Sequence, residues 1–324
     1  MRLIDADAVE AALSYPGLID VLQAQFRTGA HSPLRHHYPI ELEGRPTAML
    51  LLMPAWTSSK TGAATAGRYI GIKLVAVVPD NNLRGQPAVQ GAYLLLSTET
   101  GAPLALIDAP RLTVWRTAGA SALAARFLAR EDASRMLVVG AGALAPYLIR
   151  AHASVRPIRE VSVWNRNRAG AEKVVAAFAG SGLKVTVADD LEAAARAADL
   201  ISTATISSVP VIKGAWLKAG CHVDCVGAYR PDMRETDDDV VRRARIWVDT
   251  RTGGLNEAGD IVMPLKAGVI SKSDIQADLF ELCADGAAPR RNSPDEITMF
   301  KSVGASIEDL AAAIAIYESL AGQA

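Results

Sequence analysis

Val138-Val139-Gly140-Ala141-Gly142-Ala143-Leu144-Ala145 is the stretch whose reading decides the fold. It leaves a short, continuously apolar run (residues 136–140) and enters a helical one (residues 143–153), and it spells G-x-G-x-x-A. In that spacing Gly140 permits a tight turn, Gly142 lets the backbone approach a pyrophosphate, and Ala145 allows close helix–strand packing. The amides of Ala143 and Leu144, at the start of the helix, would face the phosphates. The motif alone is weak evidence. A strand before it, a helix after it and a second strand at the right distance make it specific.

Working outward, short apolar strands alternate with helices. Strands are predicted at 161–164, 185–188, 200–204, 221–226 and 246–249, and helices at 169–178 and 191–198. That alternation predicts an α/β fold with a doubly wound parallel sheet, and continuous apolar strands fit burial on both faces. Upstream the pattern differs. Helices at 5–13 and 18–26 precede β-rich runs at 47–56 and 69–78, and 93–97 and 104–107 flank the turn Thr98-Glu99-Thr100-Gly101 as a hairpin. This segment reads as an antiparallel sheet domain. A long helix at 112–129 leads into the parallel part. A further run at 297–303 is compatible with a strand, and an amphipathic helix at 306–320 follows it. The expected organisation is a Rossmann domain over 116–301 and a discontinuous α+β domain over 1–115 plus 302–324.

Composition narrows the function classes. Lys and Arg total 34 and Asp and Glu 35, so no basic surface is implied and nucleic acid is an unexpected partner. No apolar run approaches the roughly 20 residues that span a membrane, and the first residues do not resemble a signal peptide. Three cysteines, Cys221, Cys225 and Cys283, fit a reducing cytoplasm. Cys221-His222-Val223-Asp224-Cys225 superficially resembles a metal cluster, but it reads as a buried strand whose alternate residues point apart. No metal site is expected there, and His36, His37, His152 and His222 lack partners at ligand spacing.

The end of the second Rossmann strand bears on cofactor type. Trp164 is followed by Asn165-Arg166-Asn167-Arg168. No carboxylate stands there to repel a 2′-phosphate, and Arg166 and Arg168 are placed to grip one, so NADPH is expected over NADH. Thr203 and Thr205, after the fourth strand, and Val226 and Gly227, after the fifth, lie where a dinucleotide crosses the sheet. Three cations stand out elsewhere: Arg35, Lys73 and Arg116. Lys73 interrupts an apolar strand, so it faces either solvent or a site. Arg116 sits in a largely apolar helix, as part of a structural ion pair or of a site.

The whole set resembles the ornithine cyclodeaminase/mu-crystallin superfamily. The resemblance rests on Leu112-Thr113-x-x-Arg116-Thr117-Ala118-Gly119, Met53-Pro54-Ala55, Gly71-Ile72-Lys73, Gly227-x-x-x-Pro231-x-x-x-Glu235, Glu257-Ala258-Gly259-Asp260-Ile261 and Lys301-Ser302-Val303-Gly304 with Glu308-Asp309. It implies a homodimer in which Arg35, Lys73 and Arg116 surround a substrate carboxylate, with Arg116 and Thr117 also near the cofactor. Two departures matter. Tyr229 stands where cyclodeaminases carry an essential aspartate, and Leu51 where they carry a glutamate. Both carboxylates that would serve ornithine cyclodeamination are gone. The Trp-Asn-Arg loop resembles instead the reductase branch, with mu-crystallin (a ketimine reductase) and bacterial Δ1-pyrroline-2-carboxylate reductases. That implies NADPH-dependent reduction of a small cyclic imino acid, Δ1-pyrroline-2-carboxylate to L-proline or its six-membered homologue to L-pipecolate. A protonated C=N is expected to accept the hydride directly, and Lys73 is the candidate catalytic residue, a candidate proton donor besides its place around the carboxylate. The rival expectations are an alanine dehydrogenase, a cyclodeaminase and a small-ligand binding protein.

Overall fold

A computed structural model describes residues 1–57, 67–286 and 290–322. The chain forms two compact units, Met1–Arg116 with Ala305–Ala324, and Thr117–Gly304.

The first unit holds a seven-stranded sheet built from β1 (Arg2–Ile4), β2 (Ala30–His31), β3 (His36–Ile40), β4 (Ala48–Thr57), β5 (Tyr69–Val77), β6 (Val89–Ser97) and β7 (Pro103–Asp108). The order is β1-β7-β6-β5-β4-β2, with β3 also on β4. All pairings are antiparallel except β1 with β7. The Thr98–Gly101 turn closes the β6–β7 hairpin, with Gly101 at φ 70°. The helices that cover this sheet include α1 (Ala6–Ala12) and α2 (Tyr15–Thr28). Two further helices follow: α3 (Ala109–Leu128), in which the boundary between the units falls, and, at the end of the chain, the helix Ser306–Ala321. This last helix packs on β4, β5, β6, α1 and α2.

The expectation of an amphipathic last helix needs correction. Residues 306–314 are buried all round, Glu308 and Asp309 included. A helix enclosed on every side carries no polar face, so its two acids must find partners inside the protein.

The second unit is an eight-stranded, wholly parallel sheet of β8 (Arg135–Val139), β9 (Glu160–Trp164), β10 (Lys184–Val187), β11 (Leu200–Thr203), β12 (His222–Cys225), β13 (Arg245–Val248), β14 (Ile275–Asp278) and β15 (Thr298–Lys301). The order is β10-β9-β8-β11-β12-β15-β13-β14. The direction of winding reverses between β8 and β11, the topological switch point where open α/β sheets bind ligands. One face packs Leu137, Val139, Ile201, Val223, Cys225, Ile246, Val248 and Met299 into a single apolar core.

The other face carries a polar row. Asp224 accepts the Ser202 hydroxyl at 2.6 Å and lies 3.1 Å from His152 Nε2, all three fully buried. His222 Nδ1 lies 2.9 Å from Thr298 Oγ1, and that hydroxyl donates to Leu128 O. The Thr298 proton is thereby committed, so His222 donates through Nδ1 and is neutral. Among the described residues no group of three or more His, Cys, Asp or Glu side chains is arranged to hold a metal ion, and no helix is long and apolar enough to cross a membrane.

Burial, eased only in part by Asp224, holds the His222 pKa down at about 3. Below the ordinary histidine pKa of about 6.5 the unfolded chain binds a proton that the fold refuses, so stability falls as pH drops from there toward 3. The loss expected between pH 7 and pH 4 is on the order of a few kcal/mol. Urea unfolding at the two pH values checks it: His222→Gln should shrink the difference, and an unchanged difference would clear His222 of any role in acid sensitivity.

Candidate active site

In the first unit the phase of β5 decides where Lys73 points. Tyr69, Gly71, Lys73 and Val75 alternate onto the buried face, while Leu74 is 40% exposed on the other. A lysine turned inward and a leucine outward invert the usual alternation. Cross-strand neighbours of Lys73 are Met53 on β4 and Tyr93 on β6. Tyr93 presses so closely on Gly71 that a Cβ there would lie 1.8 Å from its hydroxyl oxygen. That hydroxyl has no hydrogen-bond partner among the described residues.

Lys73 is buried and meets Asp309: Nζ lies 2.9 Å from Oδ1 and 2.8 Å from Oδ2. Arg116, also buried, gives Nε to the same Oδ1 at 2.9 Å and Nη1 to Glu308 Oε2 at 2.6 Å. Arg35, half-buried, lies near enough to press its charge on Lys73. The structure thus brings together all three predicted cations, with two acids for which the sequence had suggested no role. Lys73, Arg116, Glu308 and Asp309 are all buried, so water screens their charges little. Burial draws the Lys73 pKa down to about 8; Arg116 and Arg35 add to the effect and Asp309 opposes it. For Arg116 burial works against the charge, but Asp309 and Glu308 outweigh it and raise the pKa. Leu51 shares the buried face of β4 with Met53 and brings no carboxylate to this cluster.

In the second unit a cleft of about 720 Å³ opens at the carboxyl ends of β8, β9 and β11. Gly140, Gly142, Trp164, Asn165, Arg166 and Thr205 are among its lining residues. Gly140 takes φ 106°, and a Cβ there would stand 2.6 Å from Ala204 O. Gly142 has open space where a Cβ would be. Ala143 and Leu144 lead into helix α4 (Ala145–Val155), whose N-cap, Leu144, supplies no side-chain acceptor. An anion in the cleft would satisfy the amides left there. Asn165 accepts from Ala141 N at 3.3 Å and braces the glycine turn.

The other predicted cofactor residues fall differently. Arg166 is exposed and no described residue engages its guanidinium by hydrogen bond or ion pair. Arg168, expected to grip a phosphate, instead begins the next helix, pairs with Glu172 at 2.8 Å and with Asp189, and does not line the cleft. Thr203 is fully buried within β11 and Val226 is buried just past β12. Thr117 is half-buried in α3, behind Arg116 in sequence. Gly227 has its role in packing, since a Cβ there would sit 2.1 Å from Thr205 O.

Glu235 holds these loop ends. Its carboxylate accepts Thr205 N at 2.7 Å, Thr205 Oγ1 at 2.9 Å, Gly227 N at 2.8 Å and Ala228 N at 3.2 Å. Asp260 braces Glu235 N and Thr236 N, and Lys301 Nζ lies 3.3 Å from Asp260 Oδ2. The sequence showed Glu235, Asp260 and Lys301 only as parts of motifs. A signal for them was their charge inside otherwise apolar surroundings, as in Phe300-Lys301-Ser302-Val303.

A parallel sheet with an open glycine turn at its switch point defines a dinucleotide-binding protein of the Rossmann class. Comparison with known proteins places it further. The family model described as ornithine cyclodeaminase/mu-crystallin family matches residues 2–324. The Δ1-pyrroline-2-carboxylate reductase of Colwellia psychrerythraea is 36% identical over 99% of this chain and 100% of its own. The solved structure of Thermococcus litoralis Δ1-pyrroline-2-carboxylate reductase in complex with NADH and L-proline is 33% identical, covers 100% of this chain and 98% of that one, and superposes with a TM-score of 0.91. An archaeal alanine dehydrogenase dimer with bound NAD is 31% identical, covering 100% and 97%, with a TM-score of 0.88. The chain belongs to the ornithine cyclodeaminase/mu-crystallin family.

The two glycines of the turn separate fold from binding. Gly140→Ala should lower stability by roughly 1–3 kcal/mol through its backbone strain. Gly142→Ala should leave the melting temperature unchanged, because nothing in the protein meets the added carbon, yet weaken dinucleotide binding about tenfold or more. Thermal melts and fluorescence titration with NADPH check both; equal binding by Gly142→Ala would place the pyrophosphate elsewhere.

Proposed function

We propose that this protein reduces a cyclic imino acid, Δ1-pyrroline-2-carboxylate to L-proline and its six-membered homologue to L-pipecolate, with NADPH preferred as the reductant. The observation that carries the reading is the convergence of half-buried Arg35 with the buried Lys73 and Arg116, the last two held by Asp309. Such a cluster recognises one carboxylate. The missing cyclodeaminase carboxylates, with Leu51 and Tyr229 in their places, turn the chemistry from amine elimination toward imine reduction.

The glycine turn, the uncapped start of α4 and the cleft fit a dinucleotide, and a nicotinamide, when bound, supplies the hydride. Arg35 and Arg116 hold the substrate carboxylate. Lys73 gives its proton to the ring nitrogen as the imine carbon is reduced, so C=N becomes CH–NH, and it recovers a proton from solvent afterwards. A group with a pKa of about 8 is well matched to this task near neutral pH. Arg166, free of protein partners, grips the 2′-phosphate. The homodimer is supported by likeness to the archaeal dimer, and a cytoplasmic location by three buried cysteines that form no disulfide among the described residues.

The test adds Δ1-pyrroline-2-carboxylate or Δ1-piperideine-2-carboxylate with NADPH or NADH and follows loss of reduced-nicotinamide absorbance. Turnover of pyruvate with ammonia, and not of either imine, would favour the alanine dehydrogenase reading instead. Three variants sharpen the result. Arg166→Ala should reduce the NADPH preference about 10- to 100-fold, while Arg168→Ala leaves it unchanged. Arg35→Ala should raise KM for the imino acid and not for NADPH. Lys73→Met should lower kcat/KM about 10²- to 10⁴-fold. Because the protonated form of Lys73 is the active one, wild-type kcat/KM should decline as pH rises through about 8; a flat profile there would remove Lys73 as the acid.

A further inference from the structure

The acids at the start of the last helix divide their work. Glu308 contacts Arg116 at 2.6 Å, and no hydrogen bond or ion pair joins it to Lys73. Asp309 is shared: one oxygen accepts from both Lys73 and Arg116 at 2.9 Å, and the other lies 2.8 Å from Lys73. The surroundings of Lys73 otherwise disfavour its charge. Arg116 from α3 and Arg35 from the segment before β3 repel it, Met53 on β4 is apolar, and Tyr93 on β6 is a neutral, buried phenol. Asp309 opposes them, holding a proton on the ammonium by its charge and by its hydrogen bond.

We propose that Asp309 is a positioning residue that acts through Lys73 and Arg116: it fixes both cations in one geometry and keeps the buried Lys73 ammonium protonated for proton delivery. The proposal rests on the reading of Lys73 as the acid. Asp309 turns its charge to the two cations: Oδ1 accepts from both, and Oδ2 lies 2.8 Å from the Lys73 ammonium. Its charge and its placement are both required. Without it Lys73 would shed its proton nearer neutrality, and the two cations would repel one another out of register with a carboxylate.

The experiment measures kcat/KM for Δ1-pyrroline-2-carboxylate against pH in the wild type, Asp309→Asn, Asp309→Glu and Glu308→Gln. The wild type should show an alkaline limb near pH 8. Asp309→Asn should move that limb down by about one pH unit or more, since it removes an opposite charge at contact distance. Asp309→Glu, which keeps the charge, should return it toward 8, and Glu308→Gln should leave it in place. A limb in Asp309→Asn at the wild-type pH, whatever the loss of rate, overturns the proposal and leaves the reading of Lys73 standing. A wild type that turns over the imine with no limb overturns both, and no turnover at all overturns the functional reading. Should Asp309→Asn not fold, carbon-13 NMR titration of labelled lysine, with the Lys73 signal identified by its loss in Lys73→Met, compares the wild type with Asp309→Glu. A displaced carboxylate must shift the Lys73 midpoint, and an identical midpoint refutes the claim.

Discussion

One carboxylate, buried at the start of the last helix, holds two cations out of water. Asp309 binds Lys73 and Arg116 at 2.8–2.9 Å, and all three side chains are buried. An isolated charge in such a place would neutralise itself or unfold its surroundings. Shared pairing makes burial tolerable, and it gathers fixed positive charge from β5, α3 and the segment before β3 into one place. The same arrangement sets the proton affinity of Lys73 near the pH at which an enzyme works. The phase of β5, the enclosed last helix and the position of Arg116 in α3 all serve to bring these groups to one place.

The second unit uses the same logic for a different end. Glu235 is buried, and burial raises its pKa against the pull of Lys301. Four donors from the ends of β11 and β12 converge on it, so it accepts throughout. The loops that follow β11 and β12 are thereby tied to one another at the edge of the glycine-turn cleft. Buried charge thus gathers around Asp309, around Glu235 and in the row of Asp224 and His152, while the opposite face of the parallel sheet is apolar.

Much of this was legible from the residues alone. The glycine turn and the alternation of apolar strands with helices gave the Rossmann sheet, because both patterns are local. Lys73 was recognisable as anomalous within an apolar strand, but its direction depended on the phase of β5 and so on pairing with β4 and β6. Strands such as Arg2–Ile4 and Ile275–Asp278 escaped notice, being three or four residues long and defined by their neighbours. The last helix was misjudged as amphipathic because Glu308 and Asp309 resemble a solvated first turn. Only distant contacts, to residues 73 and 116, show them turned inward. Arg168 was misjudged for the converse reason: nothing near it in sequence announces Asp189, its partner on a later loop.

The central claim is that fixed positive charge at Arg35, Lys73 and Arg116 recognises the carboxylate of the ligand. Calorimetric titration with pyrrole-2-carboxylate, a planar analogue of the imino acid, and with its uncharged carboxamide tests it directly, in the presence of oxidised dinucleotide. The account predicts that the carboxylate binds, that the carboxamide binds at least about a hundredfold more weakly, and that carboxylate affinity falls as pH rises through about 8. Equal affinity for the two analogues would contradict it.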